Sequence, residues 1–164
     1  MNVVVSDMTA LIIFAKSDTL FLLDNLFTNI YITQGVYDEL SFKDDVVQYR
    51  IDNFKKILTK KVTNQEIFLK IAKLNIDKGE IESISLALEL ELGLIIDERQ
   101  GRKIAMQEGI NIVGVLGLIL ENFNQSFITY DESIYLYKKV KSNGLRISLK
   151  LEEVFYNKLR KINI

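Results

Sequence analysis

Asp7 and Asp97 hold equivalent places in the sequence, since each directly follows a short apolar run: Val3-Val4-Val5-Ser6 before the first, Leu94-Ile95-Ile96 before the second. Runs of this length and branching suit buried parallel strands. In an open α/β sheet ligands bind beyond the carboxyl ends of the strands, where strand order reverses. Two further acids come from helical stretches, Glu39 in Val36-Tyr37-Asp38-Glu39-Leu40 and Glu80 in the first turn of a segment opening Asp77-Lys78-Gly79-Glu80. Carboxylates gathered in an apolar cleft repel one another, and burial raises their pKa values; a divalent cation relieves both effects. Oxygen-only donors select hard ions such as Mg²⁺ or Mn²⁺, and such a cluster is suited to two-metal hydrolysis of a phosphodiester. The same residues also fit a plainer role. Asp7, Asp77 and Asp97 each stand where a helix N-cap belongs, and Asp77–Glu80 and Asp97–Gln100 have capping-box spacing. Glu39 equally fits a solvated helix face, so spacing alone leaves both readings open.

Composition narrows the chemistry further. The 164 residues contain no Cys, His, Trp or Pro, with 48% apolar and 26% charged residues and a formal net charge of −1. Without Cys and His there is no disulfide, no thiolate nucleophile, no imidazole base and no zinc site of the usual kind. Serine–histidine and cysteine–histidine hydrolases are excluded. Catalysis must run on carboxylates, Lys, Arg, hydroxyls and whatever they hold. The segment Met1 to Asp7 lacks a basic n-region, and the apolar run Ile112 to Leu120 is too short to span a bilayer; the expectation is a cytoplasmic, soluble chain. Charge is uneven. Residues 133–164 carry eight basic and two acidic side chains, hence +6, leaving −7 for the rest. Lys138, Lys139 and Lys141 could form a phosphate-binding flank, or simply a solvated helix face.

The elements that must position the acids alternate in type. Strands are expected at Val3–Val5, Ile30–Ile32, Lys61–Val62, Leu94–Ile96 and Asn111–Val113. Helices are expected from about Thr9 to Leu26 with a break near Ser17-Asp18, at 34–40, 44–58, 64–74, 77–91, 98–108, 114–122, 131–142 and 151–161. The leucines at 86, 88, 90 and 92 alternate as in a strand, but Ala, Leu and Glu dominate that stretch and favour helix. No linker, repeat or low-complexity segment divides the chain, so a single domain over 1–164 is expected, its basic helical end at about 129–164. Short apolar strands alternating with amphipathic helices imply an α/β fold, with a parallel sheet of four to five strands covered by helices on both faces.

Four segments in order resemble the PIN-domain nucleases. Val3-Val4-Val5-Ser6-Asp7-Met8-Thr9-Ala10-Leu11-Ile12 is similar to their opening strand and first acid. Ile30 to Leu40, with Glu39, resembles the second strand, helix and acid. Asp77-Lys78-Gly79-Glu80-Ile81-Glu82-Ser83-Ile84 resembles the helix bearing the third acid, and Leu94-Ile95-Ile96-Asp97-Glu98-Arg99-Gln100-Gly101-Arg102 the fourth. With Ile112-Val113-Gly114-Val115-Leu116-Gly117 the pattern looks most like a prokaryotic branch of unassigned function close to VapC-type toxins. The resemblance implies a three-layer Rossmann-like fold and metal-dependent endonucleolytic cleavage of RNA. By position Asp7, Glu39, Glu80 and Asp97 would be the catalytic, metal-binding acids. Thr9 could orient Asp7 or a bound water. Arg102 could steer a phosphate or brace an acid, or pair with Glu98 four residues earlier.

The sequence departs from that family in places. Glu80 stands where many relatives have Asp, and Ile96-Asp97-Glu98 replaces the usual Thr-x-Asp, so Asp97, Glu98 or both could be the fourth ligand. Glu82 is a possible extra ligand, although it sits ~200° around a helix from Glu80. Met8 is bulkier than the small residue usual there. The implied partners are an RNA substrate such as a structured tRNA or rRNA, a small antitoxin protein and a second copy of the chain. The apolar stretch Leu20 to Phe27 could supply a dimer surface or be core. Alternatives are an inactive PIN-like module binding RNA or protein, and a structure-specific DNA nuclease.

Overall fold

The computed structural model describes residues 2–41 and 44–162, spans that hold every candidate site residue. Chain order is β1 (Val3–Ser6), α1 (Met8–Lys16), α2 (Phe21–Leu26), β2 (Asn29–Thr33), α3 (Gln34–Ser41), α4 (Asp45–Asp52), β3 (Ile57–Lys60), α5 (Gln65–Ala72), α6 (Lys78–Glu89), β4 (Gly93–Ile95), α7 (Arg99–Gln107), β5 (Ile112–Val113), α8 (Val115–Asn124), α9 (Tyr130–Ser142) and α10 (Leu149–Ile162). The sheet is parallel throughout, in the order β3-β2-β1-β4-β5. The chain builds outward from β1 through β2 to β3, then crosses back to lay β4 against the other side of β1. The switch point therefore falls between β1 and β4.

Successive strand residues point to opposite faces, and here each face has its own core. Val4, Ile30, Ile32 and Ile95 join buried side chains from α1 to α4 and α8 to α10. Val5, Leu94 and Ile96 join Ile71 of α5, Ile84, Leu86 and Ala87 of α6, and Ile104 and Ala105 of α7. This is the expected three-layer α/β arrangement. Each such side chain removed from water contributes roughly 1.5–3 kcal/mol, so the central strands are held from both sides.

Helix boundaries follow local chemistry. α1 ends where Asp18 takes a left-handed φ of 54°, a conformation Asp tolerates better than most residues, and the Thr19 N–H then reaches back to the Phe14 carbonyl at 2.9 Å. The segment with alternating leucines is helical as α6, whose N-cap Asp77 and N3 residue Glu80 form a reciprocal capping box. Leu20, Leu22, Leu23 and Leu26 are buried and Phe21 is exposed, so the leucines of the stretch Leu20 to Phe27 belong to the core.

One region departs from expectation. The helix expected at 44–58 stops at Asp52, and Ile57–Lys60 forms β3, whereas Lys61 and Val62 lie outside the strand. β3 is an edge strand whose last three residues are exposed. No buried face imposes an apolar pattern on it, and its Lys60 helps protect the open edge, so its sequence gives little strand signal.

Candidate metal centre

The sheet delivers Asp7 to the switch point. Its N–H bonds the Ile95 carbonyl at 3.0 Å, continuing the β1–β4 ladder, and the chain then turns directly into α1. Its Oδ1 accepts the Ala10 N–H at 3.0 Å, capping α1. The residue is only 3% exposed. Burial pushes its carboxyl from an ordinary 3.8 up to about 7; the Ala10 N–H opposes that rise, and the charges of Asp97 and Asp77 add to it.

Asp97 follows β4 on the neighbouring strand. It does not cap the helix it precedes. That role falls one residue later to Glu98, whose Oε2 accepts the Gly101 N–H at 2.8 Å, because α7 begins at Arg99. Asp97 reaches instead to the start of α8, where its Oδ2 accepts the Val115 N–H at 2.9 Å. Burial raises its pKa, against the pull of the Val115 N–H and the Arg102 guanidinium. Arg102 Nη1 also donates to the Ile96 carbonyl at 2.7 Å, bracing the turn that carries Asp97. No ion pair joins Arg102 to Glu98 among the described residues.

Glu80 lies 7% exposed in the first turn of α6. Its Oε2 accepts the Asp77 N–H at 3.2 Å, and the Glu80 N–H donates to Asp77 Oδ1 at 2.8 Å. Its Oε1 is buried and receives no hydrogen bond. Burial and the adjacent Glu98 carboxyl lift Glu80 from 4.5 to about 7. On Glu98 burial works upward too, but the Gly101 N–H and the adjacent Glu80 carboxyl outweigh it and hold the group below its ordinary value.

Two glycines make the room these acids occupy. A Cβ on Gly101 would lie 2.5 Å from Glu80 Oε1 and 2.6 Å from Ile96 Cδ1; one on Gly114 would overlap Asp97 Oδ1 and stand 3.1 Å from Arg102 Nη1. In the sequence Gly101 and Gly114 are visible only as parts of a resemblance. Their role as space around carboxylates, like the approach of Glu80 to Glu98, depends on packing between elements far apart in the chain.

The remaining candidates are less tightly drawn in. Glu39 is half-buried on α3, and no hydrogen bond or ion pair of the described residues joins it to the other acids. Thr9 is exposed in the first turn of α1, with no hydrogen bond from its hydroxyl to Asp7 among the described residues. Lys138 is exposed, Lys139 lies 5.9 Å from the Tyr135 ring, and Lys141 pairs with Glu152 Oε1 at 3.2 Å. Neither of two shallow hollows, one at the α8–α9 turn and one around the amino ends of β1 and β4, is lined by any of the candidate acids.

The donor set fits a hard divalent cation: oxygen ligands only, one buried carboxylate oxygen left without a donor, and two acids lifted to about 7 by burial. Among the described residues no three carboxylates stand close enough to hold an ion as they are. Binding one would require their side chains to swing together.

A family model described as a PIN domain matches residues 3–161. This chain belongs to the PIN-domain family. Among solved structures it is similar to a PilT N-terminus domain protein from the hyperthermophilic archaeon Sulfolobus solfataricus P2, with a TM-score of 0.47 and 14% identity over 89% of this chain and 97% of the other. No curated protein matches it. A PIN domain is a nuclease-type fold, typically dependent on divalent metal and acting on nucleic acid. In this PIN domain no helix among the described residues is long and apolar enough to cross a membrane.

Proposed function

We propose that this PIN domain is an Mg²⁺- or Mn²⁺-dependent endoribonuclease, the toxin of a toxin–antitoxin pair, with Asp7, Glu39, Glu80 and Asp97 as its metal-binding acids. The observation that carries the reading is Asp7, a carboxylate buried at the switch point between β1 and β4, pushed up to about 7 by that burial and by its acidic neighbours. Such perturbation concentrates where a site is built for function. When bound, the cation supplies Lewis acidity at the scissile phosphate and an activated water.

The chain's own groups supply the rest. Asp7 and Asp97 present carboxylates from adjacent strand ends, each steadied by one backbone N–H. Glu80 brings a free Oε1 from the opposite face of the sheet, with Glu98 beside it as a further oxygen donor. Arg102 keeps Asp97 in place through the Ile96 carbonyl and is near enough to that acid to draw a phosphate toward it. Thr9, exposed in the first turn of α1, would hydrogen-bond water or substrate. A small antitoxin would restrain the enzyme, and a structured RNA such as a tRNA or rRNA is a fitting substrate for a chain with little net charge of its own.

A second reading has specific support. Asp7, Asp77 and Glu98 all cap helices, so these acids could serve structure in a module that only binds RNA or protein. Thermal unfolding with and without Mn²⁺ separates the two, since only a ligand of the native state raises Tm. The nuclease reading predicts a rise that EDTA abolishes, and the capping reading predicts none. Parallel digests of RNA and DNA of one sequence then decide the substrate class.

A further inference from the structure

We propose that Glu82 is a positioning residue that fixes the acid-bearing helix α3 against α6, a role that rests on the metal-dependent reading above. Glu82 follows Glu80 by two residues on α6, which turns its side chain toward a different neighbour. Its Oε2 accepts the Thr33 hydroxyl at 2.7 Å. Thr33 is the last residue of β2, and its Oγ1 in turn accepts the Val36 N–H at 3.2 Å, the bond that caps α3.

The same carboxylate lies directly over Gly35, where any Cβ would overlap Oε2. The first turn of α3 is therefore shaped to admit it, and the partial positive charge at a helix N-terminus favours a carboxylate there. On the solvent side Lys78 Nζ stands 3.9 Å from Oε1. The outcome is a linked chain, Glu82 to Thr33 to the α3 backbone, joining the helix that carries Glu80 to the helix that carries Glu39. Glu82 spends its carboxylate on that link, which distinguishes it from the ligand suggested by its sequence position.

Calorimetric titration of the full chain with Mn²⁺ alone tests this. Glu82→Ala and Thr33→Val are each expected to weaken Mn²⁺ binding ~10–100-fold, the usual cost of losing a group that orients metal ligands. Glu82→Gln, whose side-chain carbonyl still accepts the Thr33 hydroxyl, should stay close to wild type. A merely structural role lowers Tm but leaves Mn²⁺ affinity intact, and unchanged affinity in Glu82→Ala overturns the proposal. Should Glu82→Ala not fold, the near-isosteric Thr33→Val carries the same test. Glu82→Gln losing affinity while Thr33→Val keeps it would make Glu82 a ligand and also overturn the proposal. Wild-type protein that binds no Mn²⁺ overturns the nuclease reading, and this one with it.

Discussion

Asp7 answers two demands at once: it caps α1, and it keeps a carboxylate in a place that water does not reach. The second is costly. Each pH unit by which burial lifts the group costs ~1.4 kcal/mol of ionisation free energy, so the rise from 3.8 to about 7 is of order 4 kcal/mol when Asp7 is ionised. The folded-state pKa is the higher one, so the stabilising contribution of protonated Asp7 is complete below about pH 4 and is lost as pH rises through 7. Glu80, lifted from 4.5 to about 7, acts in the same direction. Metal-free protein should therefore be less stable at pH 8 than at pH 5, the loss running from about pH 4 to about pH 7 at up to ~1.4 kcal/mol per pH unit for each group. Asp7→Asn, which keeps an acceptor for the Ala10 N–H, should be more stable than wild type at pH 8 in EDTA. Urea unfolding at both pH values checks this, and equal stability of wild type and variant at pH 8 would show that Asp7 is not strained.

At the scale of elements, the site depends on close approach between α6, α7 and α8. Gly101→Ala would drive a methyl group into Glu80 and Ile96, an overpacking expected to cost ~1–3 kcal/mol, and it should also remove any Tm rise caused by Mn²⁺. Gly109→Ala, at a positive φ of 79° but with nothing within 4 Å, should cost stability without touching the metal response. Thermal unfolding of both variants with and without Mn²⁺ makes the comparison; an equal loss of metal response in both would assign the effect to stability alone. These elements differ in how far their sequence announces them. β1 and β4 are legible because strands buried on both faces need unbroken apolar runs, and α6 because its capping box is local. β3 is not legible, since an exposed edge strand is free of that constraint. Asp97 was identifiable as an acid after a strand, but its bond to Val115 was not, because 18 residues separate the two.

For the whole molecule, the sheet places Asp7 and Asp97 at the carboxyl ends of its two interior strands β1 and β4, while the helical carboxyl-terminal region carries most of the spare positive charge. That asymmetry was plain in the sequence. What the structure adds is that Lys141 is already committed to Glu152 and to the face of Tyr137, whereas Lys138 is exposed. Reversing charge at Lys138 and Lys139 should flatten the salt dependence of RNA binding, by about one unit of log–log slope for each phosphate no longer neutralised. Lys141→Glu should mainly loosen α9 from α10, a small effect because the pair is exposed. Filter binding across a salt series distinguishes the two, and a slope unchanged in the Lys138/Lys139 variant returns those lysines to a solvated face.

Cleavage of total cellular RNA by the purified protein, in Mn²⁺ and in EDTA, with Asp7→Asn run beside wild type, tests the central claim most directly. The expected result is cleavage by wild type in Mn²⁺ only, reduced ~100-fold or more by Asp7→Asn, as loss of several kcal/mol of metal-assisted stabilisation requires. Cleavage that survives both EDTA and the substitution would contradict a metal centre built on Asp7.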